Sequence, residues 1–280
     1  MLGLLSAGAI GTAIDGFGLE PRWLETTMHD HVIHGLPAHL EGYLIAQLTD
    51  VHLVTLRDLH TAIIEAIRTR NPNLVLLTGD IIESPGGLTP LRTFLDALRA
   101  PGRRMIATIG NWERWGQVDL SSLARTYKEA GAALLTNDRL MLESDLALVT
   151  TDDSVLGFAD LKAAMERGPT ARHQILATHA PGLLDTASGL LDTAPGIAPS
   201  SAHSGATPRF VLSLAGHTHG GQIRMGPYAP ITPPGSGPYV AGRYDTPFGP
   251  LYVSRGIGTS VIPARFFCRP ELAFFRLCVA

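Results

Sequence analysis

The chain has 280 residues and a mass of 29.8 kDa, and its 22 Lys+Arg against 25 Asp+Glu leave a formal charge of −3. A charge so near zero excludes a dedicated nucleic-acid binder, and a hydrophobic share of 45% excludes a disordered chain. Two Cys exclude a disulfide scaffold or a four-thiolate zinc site, whereas 11 His outnumber the lysines, Lys128 and Lys162.

Residues 1–14 carry no charge and end at Asp15. They are shorter than the ~20 apolar residues of a spanning helix and lack the basic front of a signal peptide. Two readings stay open, a docked terminal helix and the stub of a membrane anchor. Residues 20–40 hold His29, His31, His34 and His39 at irregular spacing. Met28, Val32 and Ile33 suggest a short strand there, before the Gly35–Pro37 turn. A half-exposed strand and loop fits this segment better than a metal site.

From Tyr43 one theme repeats: an apolar run ends in polar residues and a helical stretch follows. YLIAQLTDVHL reads as strand then loop, and Leu59–Arg70 as an amphipathic helix with Ile63, Ile64 and Ile67 on one face. NLVLLTGDII is the next strand and loop, followed by a helix at Leu91–Leu98. RMIATIGNWE is the third, followed by a helix at Ser121–Ala130 that stops at Gly131. Strands are expected at Leu146–Thr150 and Gln174–Thr178. Residues 185–208, rich in Pro, Gly and Ser, read as a loop or mobile flap. RFVLSLAGHTHGGQIRM reads as strand, glycine turn, strand. The tail, with PLYVSR and ELAFFRL, suggests a second, more antiparallel sheet. Strand alternating with helix implies α/β architecture, a sheet with a parallel component and helices on its faces.

The chemistry sits where the apolar runs end. The first yields Asp50 and His52, the second Asp80, the third Asn111, a later one His179, and the last His217 and His219. Open α/β sheets place ligands at strand C-terminal ends. In an extended chain the members of Asp50-x-His52 and His217-x-His219 would point the same way. Carboxylate, imidazole and amide oxygen together suit Mn, Fe, Zn or Co. Each piece occurs by chance; five in order do not. No Ser-His-Asp or Cys-His arrangement competes: Ser204 near His203 lacks a strained elbow.

In these motifs the sequence resembles the calcineurin-like metallophosphoesterases, whose pattern is D-x-H, G-D, G-N-H-[DE], H and G-H-x-H. Here it stands as Asp50-Val51-His52, Gly79-Asp80, Gly110-Asn111-Trp112-Glu113, His179 and Gly216-His217-Thr218-His219. GHTHGGQIR and LYVSRGIGTSVIPARF look like one bacterial branch that is often membrane-associated. The resemblance implies a four-layer αββα sandwich of two mixed β-sheets flanked by helices. It implies a leading apolar and linker segment at 1–40 and a phosphoesterase domain at 41–280. It implies two divalent metal ions, with Mn favoured. Asp50, His52 and His219 would hold the first ion, Asn111, His179 and His217 the second, and Asp80 would bridge. Asp80, Asn111 and His217 are the implied catalytic residues. Two ions ~3.5–4 Å apart share a hydroxide that attacks phosphorus in line.

Trp112 departs from the pattern, because the family has His there as a proton donor or phosphoryl clamp. A tryptophan N–H is no useful proton source. The expectation is therefore a leaving group that needs little protonation, such as a nucleotide phosphate leaving a pyrophosphate, with Arg114 supplying positive charge. Trp112 and Trp115 would wall an acyl chain or a base, and Arg224 would contact phosphate. Glu83 is read as a supporting or surface residue, not a ligand. The expected substrate is a phosphorylated small molecule or a lipid- or nucleotide-linked one such as UDP-diacylglucosamine. Localisation is then bacterial, in the cytoplasm or with peripheral membrane contact. The alternatives are a broad phosphomonoesterase or phosphodiesterase on soluble substrates, and a metal-binding scaffold weakened at Trp112.

Overall fold

The apolar runs fold as short strands covered on both faces. A computed structural model describes residues 15–187 and 209–280. The uncharged start at 1–14 lies outside these residues, as does the loop read at 185–208 from residue 188 onward. In chain order the first half contains β1 (Glu25–Ile33), β2 (Leu44–Leu48), α1 (Asp58–Arg70), β3 (Leu74–Thr78), α2 (Leu88–Leu98) and β4 (Arg104–Thr108). Then come α3 (Asn111–Trp115), α4 (Leu120–Glu129), β5 (Ala133–Leu134), β6 (Asp138–Glu143) and β7 (Leu146–Thr150). The remainder is α5 (Leu161–Glu166), β8 (His173–Ala177), α6 (Leu183–Thr186), β9 (Leu212–Ala215), β10 (Gly242–Thr246), β11 (Gly249–Val253) and β12 (Glu271–Val279).

Two six-stranded sheets result, ordered β1-β12-β2-β3-β4-β5 and β10-β11-β9-β8-β7-β6. Each has a parallel centre, β2–β3–β4 in one and β7–β8–β9 in the other, and each also carries antiparallel pairs. Strand alternation sorts side chains into layers. Ile45, Leu74 and Leu76 face Leu148, Ile175 and Leu214 between the sheets. Ala46, Val75 and Leu77 point outward under Ile63 and Ile67 of α1, Phe94 and Leu98 of α2 and Tyr127 of α4. Across the second sheet, Val149, Leu176 and Val253 pack against Leu161 and Met165 of α5 and Leu184 of α6. The arrangement is the α/β four-layer sandwich, αββα.

Three strand expectations change. The tail does not build a sheet of its own. β11 joins the second sheet parallel to β9, and β12 inserts into the first between β1 and β2. β1 is nine residues long and pairs in parallel with β12, so residues 25–33 contribute an edge strand to the first sheet. The strand expected after the GHTHGG turn is reduced to two isolated bridges, Ile223 to Phe266 and Met225 to Tyr228, because the chain there coils into a short 3₁₀ turn at His219–Gly221. His29, His31 and His39 of the leading segment bond to Thr27, Val211 and Ser144.

Candidate metal centre

The parallel strands β2, β3, β4, β8 and β9 end on one side of the molecule, and the polar residues beyond them converge there. Asp50, His52 and His219 form one group whose donor atoms lie within 4.8 Å of one another, and Asp80, His179 and His217 form a second. Asn111 belongs with the second group, its Oδ1 3.1 Å from His179 Nε2. All seven side chains are buried.

Distances within the groups match donors round a shared cation. His52 Nε2 is 3.1 Å from His219 Nε2, and His219 Nε2 is 3.5 Å from Asp50 Oδ1. His179 Nε2 is 3.2 Å from Asp80 Oδ2 and 3.2 Å from His217 Nδ1. Adjacent donors on a cation at about 2.1 Å stand about 3.0–3.4 Å apart. Two imidazole nitrogens that close repel unless a proton or a cation lies between them. Asp80 Oδ2 is also 4.0 Å from His52 Nε2, so one carboxylate oxygen lies between the groups. Its other oxygen accepts the Trp112 amide at 2.7 Å.

Partners behind the donors set their tautomers. His179 Nδ1 donates to the Thr78 carbonyl at 2.9 Å, and His217 Nε2 to the Pro234 carbonyl at 2.7 Å. A carbonyl only accepts, so the opposite ring nitrogen is the one left to ligate a cation in the site. Glu83 Oε2 lies 3.5 Å from His52 Nδ1, the supporting place read for it. Burial raises the Asp50 carboxyl, with Asp80 adding to the effect. Burial opposes the charge on Asp80 as well, but His179 and His52 outweigh it and hold that carboxyl low. Burial likewise disfavours the His179 imidazolium, yet Asp80 and Asp50 outweigh it and lift the ring to about 10. Burial, then His52 and Arg265, push His219 well below its ordinary value. Buried carboxylates that draw positive charge onto His179, beside a His219 held neutral, are a field that divalent cations satisfy.

The alternation argument for the paired motifs fails in its geometry. Asp50, His52, Asp80, His217 and His219 all have positive φ, from 48° to 71°. They lie past the strand ends, on left-handed turns that aim each side chain separately. Such backbone costs of order 1 kcal/mol or more per residue and clusters at functional sites. Close approach also explains a glycine: a Cβ at Gly110 would lie 2.2 Å from Asp80 Oδ1.

A cavity of 820 Å³ opens over Asp80, Asn111, His217 and His219. Trp112 and Trp115, stacked at 4.9 Å, form one wall, and Trp112 stands edge-on to His52 at 5.5 Å. The other walls are Val155 and Leu156, Ile223 and Ile231, and Val261 and Ile262.

The model of the calcineurin-like phosphoesterase family matches residues 43–221, a span that takes in all seven donors. The chain is a calcineurin-like phosphoesterase. Its likeness to curated members extends well beyond that span. The uncharacterized metallophosphoesterase YkuE of Bacillus subtilis (strain 168) is 33% identical, over 99% of this chain and 94% of its own length. Phosphodiesterase YaeI of Escherichia coli (strain K12) is 29% identical, over 97% of this chain and 96% of its own. As a calcineurin-like phosphoesterase the protein is a metal-dependent phosphoric ester hydrolase. Among the described residues no helix is long and apolar enough to cross a membrane.

Two expected substrate contacts of this phosphoesterase do not reach the cavity. Arg114 is held by Asp152 through Nη2 contacts of 2.6 and 2.7 Å, because α3 turns its side chain toward the end of β7. Arg224 donates to the Pro227 carbonyl at 3.1 Å and does not line the cavity. Sequence reasoning also missed two residues that shape the site. Buried Glu113 accepts the amides of Asp80, Ile81, Ile82 and Gly110, which ties the β3 and β4 loops together. Its place in GNWE was the signal. Fully buried Arg265 donates to the carbonyls of Arg255, Gly258 and Cys268 behind His219, and no local pattern announced it.

Proposed function

We propose that this phosphoesterase hydrolyses a phosphodiester or pyrophosphate bond in a lipid- or nucleotide-linked substrate, with UDP-diacylglucosamine a representative of that chemistry. The observation that carries the reading is the cavity, polar at the donor end and apolar along its walls. Asp50, His52 and His219 would hold one divalent cation, Asn111, His179 and His217 the other, with Asp80 shared; manganese is the proposed metal. When bound, the cations supply Lewis-acid charge stabilisation and a nucleophilic water. The GHTHGGQ turn supports placing the chain in the often membrane-associated bacterial branch, and the likeness to relatives from Bacillus subtilis and Escherichia coli supports its being bacterial.

The chain's own residues favour a stable leaving group. Trp112 gives its backbone amide to Asp80 and presents only an indole to the cavity. The Nε2 proton of His217 is committed to Pro234. Arg114 is neutralised by Asp152. None of Trp112, His217 and Arg114 offers a proton to a departing alkoxide, whereas a departing nucleoside phosphate needs none. The Trp112–Trp115 wall suits an acyl chain or a base.

The manganese-loaded chain should be assayed on UDP-diacylglucosamine in detergent, on bis-p-nitrophenyl phosphate and on p-nitrophenyl phosphate. The pyrophosphate-linked lipid is expected to show the highest kcat/KM and the monoester the lowest. A preference for soluble diesters or monoesters would move the reading to a broad soluble phosphoesterase. No turnover with metal bound would identify a scaffold. Trp112→His is expected to raise turnover of alkyl phosphodiesters by about tenfold or more, the lower range of general-acid catalysis. Aryl esters, whose leaving groups are already good, should change little. An equal effect on both classes would refute the proton-donor argument.

A further inference from the structure

Large apolar side chains ring the cavity mouth and continue away from it in one strip. At the rim Val261 and Ile231 are 83% and 78% exposed. Gln222 ties the two sides of the rim by donating to the carbonyls of Ser260 and Ile262. Ile223 bridges to Phe266, whose ring packs on exposed Phe267. The Phe267 amide donates to Glu20, next in sequence to exposed Leu19 and close to exposed Phe17. Trp23, also exposed, lies under the Arg269 guanidinium at 3.7 Å. Contiguous exposed apolar surface of this kind marks a contact with another phase or molecule.

Charge identifies the occupant. Residues 222–244 and 256–270 contain no Asp or Glu, although the chain as a whole carries −3; in the leading stretch Glu20 is buried against the Phe267 and Cys268 amides, which leaves Asp15 as the acid beside Phe17. Arg22, Arg224 and Arg269 lie along the strip. Two copies of this face brought together would oppose arginine to arginine, which disfavours a symmetric dimer. An anionic bilayer complements it, with basic groups at the headgroups and aromatic and aliphatic groups below them. The uncharged residues 1–14 also join the chain here, since the Arg265 amide donates to the Gly16 carbonyl at 2.9 Å.

We infer that this face is a docking surface for an anionic lipid bilayer and that it turns the cavity mouth toward the headgroups. The inference goes beyond the catalytic reading and is tested without turnover. The full chain is sedimented with vesicles of phosphatidylglycerol or of phosphatidylcholine. It is expected to bind the former more tightly and to lose that preference in high salt. The combined variant Phe17→Ser, Leu19→Ser, Phe267→Asn removes apolar groups outside the cavity lining. It should bind phosphatidylglycerol vesicles about tenfold or more weakly, as expected for withdrawing three apolar side chains from an interface. Its melting temperature and its turnover of bis-p-nitrophenyl phosphate should match the native chain. Should that variant fold poorly, Arg22→Gln with Arg269→Gln leaves the apolar strip intact. It is expected to weaken binding to phosphatidylglycerol by about tenfold. Three results would overturn the inference: no sedimentation with phosphatidylglycerol vesicles, native-like binding by these variants, or a dimer of the native chain that the combined variant dissolves.

Discussion

Asp80→Asn is expected to lower kcat/KM on bis-p-nitrophenyl phosphate by about 10³-fold or more, the scale of losing a metal-activated nucleophile. Asp80 Oδ2 faces both donor groups, at 3.2 Å from His179 and 4.0 Å from His52. Its Oδ1 is fixed by the Trp112 amide. Asparagine has the same shape, so the fold should persist and the melting temperature should move little. Its amide must nevertheless put an NH₂ on one side. With the oxygen toward Trp112, the NH₂ points at His179 and presents a donor where a ligand is needed. With the amide reversed, the NH₂ confronts the Trp112 N–H. Either way the shared oxygen or its orientation is lost. Metal content should fall in parallel with activity. Arg224→Ala makes the contrast, since that guanidinium is spent on a backbone carbonyl away from the cavity. Its metal content and its turnover of bis-p-nitrophenyl phosphate should match those of the native chain.

Gly110→Ala should damage the centre nearly as severely without touching a donor. The backbone there, at φ −105°, is open to alanine, so conformational strain is not the issue. Space is. The new Cβ would lie 2.2 Å from Asp80 Oδ1 and 2.4 Å from the Asp80 amide nitrogen. Neither can retreat easily, because Glu113 holds the Asp80 amide and Trp112 holds the carboxylate. Overpacking of this kind costs about 1–3 kcal/mol. A shift of about 1 Å in Asp80 lowers activity by about 10²-fold. Gly102→Ala separates crowding from strain, since it has positive φ of 74° but nothing within 4 Å. It should cost about 1 kcal/mol in a thermal melt and leave turnover intact. Equal activity losses in the two variants would mean that crowding at Asp80 is not the cause.

How much of this was legible in sequence depends on how local each feature is. The donors were legible because every one follows an apolar run, and the runs became β2, β3, β4, β8 and β9. Their aim was not. Nothing in Asp-x-His says that Asp50 and His52 leave the strand and take left-handed backbone. Trp112 and Trp115 were readable as a wall because they sit three apart next to a donor. Val155, Ile231 and Val261 were not, since three separate loops bring them to one mouth with no period to reveal it. The parallel pairing of β1 with β12 joins Glu25 to Glu271, a contact for which a local window holds no signal. Arg114 misled because Trp112 and Trp115, which bracket it, line the cavity, while its own side chain answers to Asp152.

The central claim is that seven converging side chains hold two cations for ester hydrolysis. Titration of manganese into the chelator-stripped chain, with bound metal and turnover measured together, tests it most directly. Two equivalents should bind per chain, with activity appearing as the second site fills and vanishing again on chelation. Saturation at one equivalent, or full turnover by the stripped chain, would contradict it.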